Sequence, residues 1–140
     1  MILVSSCLLG LCSRYDGKEK ADEKVLEYLK DKPFMPICPE QMGGLTTPRP
    51  PAEIISLDPL KICTEDDDVT EYFVNGVEEV MKLVKLQKVD QAILKSKSPT
   101  CGRYEIYDGT FTRTLIKGAG IMAKRLLDEN IEVINENDLV

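Results

Sequence analysis

Three cysteines of this chain each follow a short apolar run. Ile2-Leu3-Val4-Ser5-Ser6 precedes Cys7, Phe34 to Ile37 precedes Cys38, and Val89 to Leu94, extended by the polar stretch 95–100, precedes Cys101. Each run reads as a strand, so the three thiols fall at strand C-termini. In an open α/β sheet, ligands bind beyond those ends, where loops converge and helix N-termini present free amides. Thiols distant in sequence would then meet in space, and as thiolates they would repel one another unless a metal balanced them. Cysteine thiolates are the usual ligands of iron–sulfur clusters, which makes iron in a cluster the first expectation and zinc the second. With three protein thiolates, a four-iron cluster would keep one iron open as a Lewis acid, and a soft iron favours a sulfur ligand. The alternative is that the three cysteines are small buried apolar residues, which does not explain why all of them fall at strand ends.

The remaining composition narrows the chemistry. Histidine is absent, which removes Ser-His and Cys-His pairs and every imidazole metal site. A general acid or base must then be a carboxyl, thiol, Lys or Tyr. Five cysteines make an odd number for a disulfide framework, and in a reducing cytosol ligand or catalytic roles gain weight. Cys12 could be a fourth ligand, and Cys63 is expected to pack or stay free. The formal charge of -6, from 18 basic and 24 acidic residues, argues against nonspecific nucleic-acid binding, which needs clustered Lys and Arg. No stretch approaches the roughly 20 apolar residues that span a bilayer. The start Met-Ile-Leu-Val lacks a basic signal region, and the cytoplasm is the expected location.

The elements that must position these residues alternate. A short helix follows Asp22, with Val25, Leu26, Tyr28 and Leu29 at helical spacing. A long helix carries Val69, Phe73, Val77, Val80 and Val84 on one face. Asp68, three residues before Glu71, reads as the N-cap of a capping box. A third helix lies around Gly120 to Asn130, followed by a strand at Ile131 to Ile134. Pro36 places the second strand near a sheet edge. From Pro39 to Pro59, five prolines and Gly43-Gly44 predict a long structured loop, a candidate pocket wall. Asp108-Gly109 reads as a turn. The pattern predicts one α/β domain over residues 1–140, a mainly parallel sheet with flanking helices in a Rossmann-like three-layer arrangement.

Four blocks carry a resemblance. They are Ser5-Ser6-Cys7-Leu8-Leu9-Gly10 with Arg14-Tyr15-Asp16-Gly17; Cys38-Pro39-Glu40-Gln41-Met42-Gly43-Gly44-Leu45 with Thr47-Pro48-Arg49-Pro50-Pro51-Ala52-Glu53; Leu94-Lys95-Ser96-Lys97-Ser98-Pro99-Thr100-Cys101-Gly102; and Tyr107-Asp108-Gly109-Thr110-Phe111-Thr112. Over nearly its whole length the chain resembles the family of bacterial and archaeal proteins that includes 2-thiouracil desulfurase. The resemblance implies a [4Fe-4S] cluster on Cys7, Cys38 and Cys101 with one open iron. It further implies non-redox removal of sulfur from a thiolated pyrimidine, whether 2-thiouracil, 4-thiouracil, 4-thiouridine or its monophosphate. Glu40 and Ser98 match the positions of acid–base work and positioning. The chain departs from the family pattern at Lys117-Gly118-Ala119-Gly120 and at Arg113, where a small residue is usual.

Arg14 and Arg49 could contact a base carbonyl or a phosphate through their planar donor forks, or could pair with Asp16 and Glu53. Glu40 could instead be a solvated loop carboxylate. Two other functions compete with the desulfidase: a noncatalytic iron–sulfur or zinc carrier, and a thiol redox enzyme using Cys7 and Cys12. The latter pair lacks Cys-x-x-Cys spacing.

Overall fold

The computed structural model describes residues 1–140. Its centre is a four-stranded sheet of β1 (Ile2–Ser5), β2 (Phe34–Ile37), β5 (Gln91–Leu94) and β8 (Glu132–Asn135), in the order β2-β1-β5-β8. Every pairing is parallel, with Leu3 opposite both Met35 and Ala92, and Ala92 opposite Val133. Side chains alternate across the strands, so each face has its own core. Leu3, Ala92, Leu94 and Val133 pack with Val77, Val80, Met81 and Val84 of α3 (Thr70–Leu86) and with Met122, Ala123 and Leu126 of α4 (Ile121–Asp128). Ile2, Val4 and Ile93 pack on the other face with Leu8 and with Val25 and Leu29 of α1 (Glu23–Leu29). The result is the three-layer α/β arrangement expected from the sequence.

From β1 the chain moves outward to β2, then returns to place β5 on the other side of β1. This reversal makes a switch point between β1 and β5, and the crevice at their C-terminal ends is where such sheets bind ligands. β2 lies at the edge, as Pro36 predicted.

Two expectations need correction. Residues 39–59 are not one irregular loop. Pro39 opens α2 (Pro39–Met42), where a residue without an amide hydrogen is tolerated because the first turn leaves its donors unpaired. Glu53–Leu57 and Leu60–Cys63 then form the antiparallel hairpin β3–β4, with Asp58-Pro59 at its turn. The second correction is the start of α3, at which Asp68 does not form a capping box. Its Oδ1 accepts from Thr70 N at 2.9 Å and Thr70 Oγ1 at 2.6 Å, and Val69 occupies the cap position. Val69 is buried with Ile54, Ile62, Phe73 and Ile106 in a third cluster beneath the hairpin. That burial sets the helix start after it.

A second hairpin, β6 (Glu105–Tyr107) with β7 (Leu115–Lys117), completes the fold around the turn expected at Asp108-Gly109. α2 lies directly on α3 through two glycines. A Cβ on Gly43 would fall 1.9 Å from Tyr72 O, and one on Gly76 would fall 1.9 Å from Pro39 O. The absence of side chains at both positions brings α2, and with it Cys38 and Glu40, against the body of the domain.

Candidate functional site

A cavity of about 750 Å³ opens beyond the C-terminal ends of β1, β2 and β5. All seven residues singled out in the sequence, Cys7, Arg14, Cys38, Glu40, Arg49, Ser98 and Cys101, line it. Cys7 lies in the 3-10 turn Ser6–Leu9 directly after β1. Cys38 joins β2 to α2 as the helix cap residue. Cys101 lies in the loop between β5 and β6, to which the N-terminal amides of α4 bond: Met122 N and Ala123 N donate to Thr100 O at 3.0 and 3.1 Å. Each thiol is thereby held by a different strand end and a separate set of backbone bonds.

Burial dominates the electrostatics of the thiols. It pushes Cys7 up to about 11, raised further by Glu40 and opposed by Lys95 and Arg14. Cys38 also rises to about 11, through burial and then Glu40, opposed by the Gln41 amide and Arg49. Cys101 lies well above the ordinary thiol range through burial and Glu40, and the charges of Cys7 and Cys38 raise it as well. The surrounding cations are therefore insufficient to hold three thiolates at neutral pH, and a ligand that binds them as thiolates must bring positive charge. No three Cys, Asp or Glu side chains gather tightly enough on one point to hold a single metal ion. Three cysteine thiols without an imidazole form a soft donor set whose chemistry fits an iron–sulfur group, of which thiolates are the usual ligands.

Glu40 is not a solvated loop carboxylate. Its Oε1 accepts from the hydroxyl of the fully buried Thr100 at 3.0 Å, and its Oε2 lies 3.5 Å from Cys38 Sγ. It thus bridges the loop of one candidate ligand to another. Ser98 Oγ accepts from Thr100 N and Cys101 N, both at 3.0 Å, and so shapes the Cys101 loop while lining the cavity. Arg14 pairs with Asp16 at 3.4 Å. Arg49 forms no pair with Glu53; its guanidinium donates to Thr46 O, Thr47 Oγ1 and Ser13 O, tying two segments of the cavity wall together. Cys12 is exposed and Cys63 half-buried, and neither lines the cavity.

Sequence reasoning did not single out Lys95 or Thr100. Lys95 Nζ lies 3.0 Å from Glu136 Oε2, and Glu136 also takes Ser96 N at 2.9 Å and Ser96 Oγ at 3.0 Å. Burial pushes the Glu136 carboxyl up, but Lys95 and the Ser96 amide outweigh it and leave it below its ordinary value. The signal for Lys95 was its place immediately after a strand in the switch-point crevice. Thr100 carried no signal, because its partner Glu40 is 60 residues away.

Fold and cavity together define a small α/β protein with a thiol-lined cavity at the switch point of its sheet. Comparison with known proteins gives the family. The profile of the 2-thiouracil desulfurase family matches residues 2–138, and the chain belongs to that family. It is 42% identical to the uncharacterized protein YbbK of Bacillus subtilis (strain 168), over 99% of this chain and 97% of that protein. Among solved structures, it is similar to the [4Fe-4S]-dependent thiouracil desulfidase TudS (DUF523Vcz), with a TM-score of 0.91 and 39% identity, covering 99% of this chain and 91% of the other.

Proposed function

We propose that this chain is an iron–sulfur-cluster-dependent desulfidase that removes sulfur from a thiolated pyrimidine by non-redox hydrolysis. The observation that carries the reading is the convergence of Cys7, Cys38 and Cys101, from three separate strand ends, on one cavity that also holds the anchored Glu40. Family membership and the likeness to TudS support it. Cys7, Cys38 and Cys101 would hold a [4Fe-4S] cluster. Bound there, it supplies an open iron, a soft Lewis acid for the exocyclic sulfur and an acceptor for sulfide.

The chain's own residues do the rest. Without histidine, Glu40 is the carboxylate placed to take a proton from the water that attacks the thiocarbonyl carbon. The overall change exchanges C=S and water for C=O and hydrogen sulfide, with no electron transferred. Ser98 Oγ spends its acceptor capacity on two amides and keeps its hydrogen free to donate to the ring or its substituent. Arg14 and Arg49 shape the wall and can offer remaining donors to a base carbonyl or to the phosphate of a nucleotide substrate. The substrate is 2-thiouracil, 4-thiouracil, 4-thiouridine or its monophosphate. We place the reaction in the reducing cytoplasm, within a single catalytic domain spanning residues 1–140.

The test is anaerobic incubation of the cluster-loaded protein with each of these compounds, following sulfide and the oxygenated base. Stoichiometric appearance of both from at least one compound is expected, with loss of activity but not of iron in Glu40→Ala. Iron-replete protein that releases sulfide from none of them would sink the reading. Activity surviving in Glu40→Ala would remove that residue from the chemistry.

A further inference from the structure

The connection between β6 and β7 is tied down from both sides. On its exposed side, Asp108 Oδ1 accepts from Thr110 N at 3.0 Å and Thr110 Oγ1 at 2.6 Å, and the hydroxyls of Thr110, Thr112 and Thr114 follow in series at 2.6 and 2.9 Å. At the intervening positions, Phe111 and Arg113 take φ of 59° and 61°. L side chains adopt this left-handed region at a cost, and such strain collects at functional sites. Both residues line the cavity.

On the inner side stands Glu53 of β3, only 9% exposed and in none of the ion pairs of the protein. Its Oε1 accepts from Gly109 N at 2.9 Å and from Phe111 N at 3.3 Å. Gly109 has φ 92°, and a Cβ there would fall 2.7 Å from Ile54 O, so the strap lies flat on the β3 backbone. A buried carboxylate spent on the amides of a strained loop is a fastening. Of the other aromatic residues of the lining, Phe73 is buried in the hairpin core and the Tyr15 ring lies under Arg14, while Tyr107 stands in the β6 ladder opposite Leu115 rather than on the strap.

We propose that Phe111 is the wall on which the flat ring of the substrate stacks, and that Glu53 is the positioning residue that fixes this wall by holding the strap to β3. The inference rests on the desulfidase reading, because it supposes a pyrimidine in the cavity. Stacking on an aromatic side chain suits any pyrimidine, since every base offers a π-face.

The experiment uses cluster-loaded protein and uracil, the unreactive oxygenated base, in anaerobic calorimetry, together with 2-thiouracil turnover. Phe111→Ala is expected to weaken uracil binding and raise KM by roughly 5- to 150-fold, with a smaller change in kcat and unchanged iron and sulfide content. Glu53→Ala is expected to reproduce that pattern. Glu53→Gln should recover most of it, because the amide oxygen can still accept from Gly109 N and Phe111 N. Uracil binding in Phe111→Ala within about twofold of wild type overturns the wall whatever the fate of the Glu53 variants. Equal loss in Glu53→Gln and Glu53→Ala overturns the fastening. A wild-type protein that turns over no thiolated pyrimidine sinks the functional reading and this inference with it, whereas an active wild type with an indifferent Phe111→Ala sinks this inference alone.

Discussion

Replacing Thr100 with valine isolates the bond that holds Glu40. Thr100 is fully buried, and its Oγ1 donates to Glu40 Oε1 at 3.0 Å. Valine keeps the branched shape, and the carbonyl of residue 100 still accepts from Met122 N and Ala123 N, so the α4 N-terminus and the Cys101 loop should survive. The variant therefore removes one donor from a carboxylate whose other neighbour, Cys38 Sγ at 3.5 Å, is a weak one. A hydrogen bond to a charged group contributes about 1.5–3 kcal/mol. With 1.4 kcal/mol to each factor of ten, kcat for 2-thiouracil desulfuration should fall roughly 10- to 150-fold if the bond serves to place Glu40. KM and the iron content should change little. Steady-state sulfide release under anaerobic conditions, with iron measured on the same samples, gives both quantities. A Thr100→Val protein with wild-type kcat and full iron would refute the view that the carboxylate must be held.

Other parts of the structure give further tests. Gly76→Ala would force a Cβ to within 1.9 Å of Pro39 O, so α2 must lift from α3; a loss of about 1–3 kcal/mol or more in urea unfolding is expected, accompanied by weaker iron retention through Cys38. Lys95→Met leaves Glu136 buried with only its Ser96 bonds. It should cost roughly 1–3 kcal/mol at pH 7, less than a fully buried pair because Lys95 keeps partial exposure. Because the Glu136 carboxyl lies below its ordinary value in the folded protein, the stabilisation is present above that ordinary value. It is lost as pH falls through the folded one, so the wild-type and variant curves should converge in acid. In cluster-free protein, Cys7 and Cys38 are raised from 9.0 to about 11, so the folded state binds more protons than the unfolded state between those values. Stability in urea should therefore fall as pH rises from 9 through 11, and a flat profile would show that burial does not hold these thiols neutral.

The central strands were legible as short apolar runs buried on both faces, and the helices by apolar residues at helical spacing. Leu3 and Leu94 face one core and Ile2 and Ile93 the other, which is why both runs are apolar at successive positions. The cysteine trio was legible because Cys7 and Cys38 follow their strands almost directly and Cys101 follows β5 across the polar stretch 95–100. Residues 39–63 were less so: proline marks irregularity on average, yet Pro39 at a first helical position and Pro59 at a hairpin turn are compatible with α2 and β3–β4. Asp68 misled because local capping chemistry was weighed without the tertiary burial of Val69. Side-chain partners remote in sequence, Thr100 with Glu40 and Glu53 with the Phe111 strap, leave no local mark at all.

The central claim is that Cys7, Cys38 and Cys101 together hold an iron–sulfur cluster. Iron and acid-labile sulfide should be counted on anaerobically purified protein and on single Ser variants of all five cysteines. About four irons and four sulfides per chain are expected in the wild type and in the Cys12 and Cys63 variants, with loss in each of the Cys7, Cys38 and Cys101 variants. One zinc per chain, or a cluster that survives removal of any of those three thiols, would contradict the account.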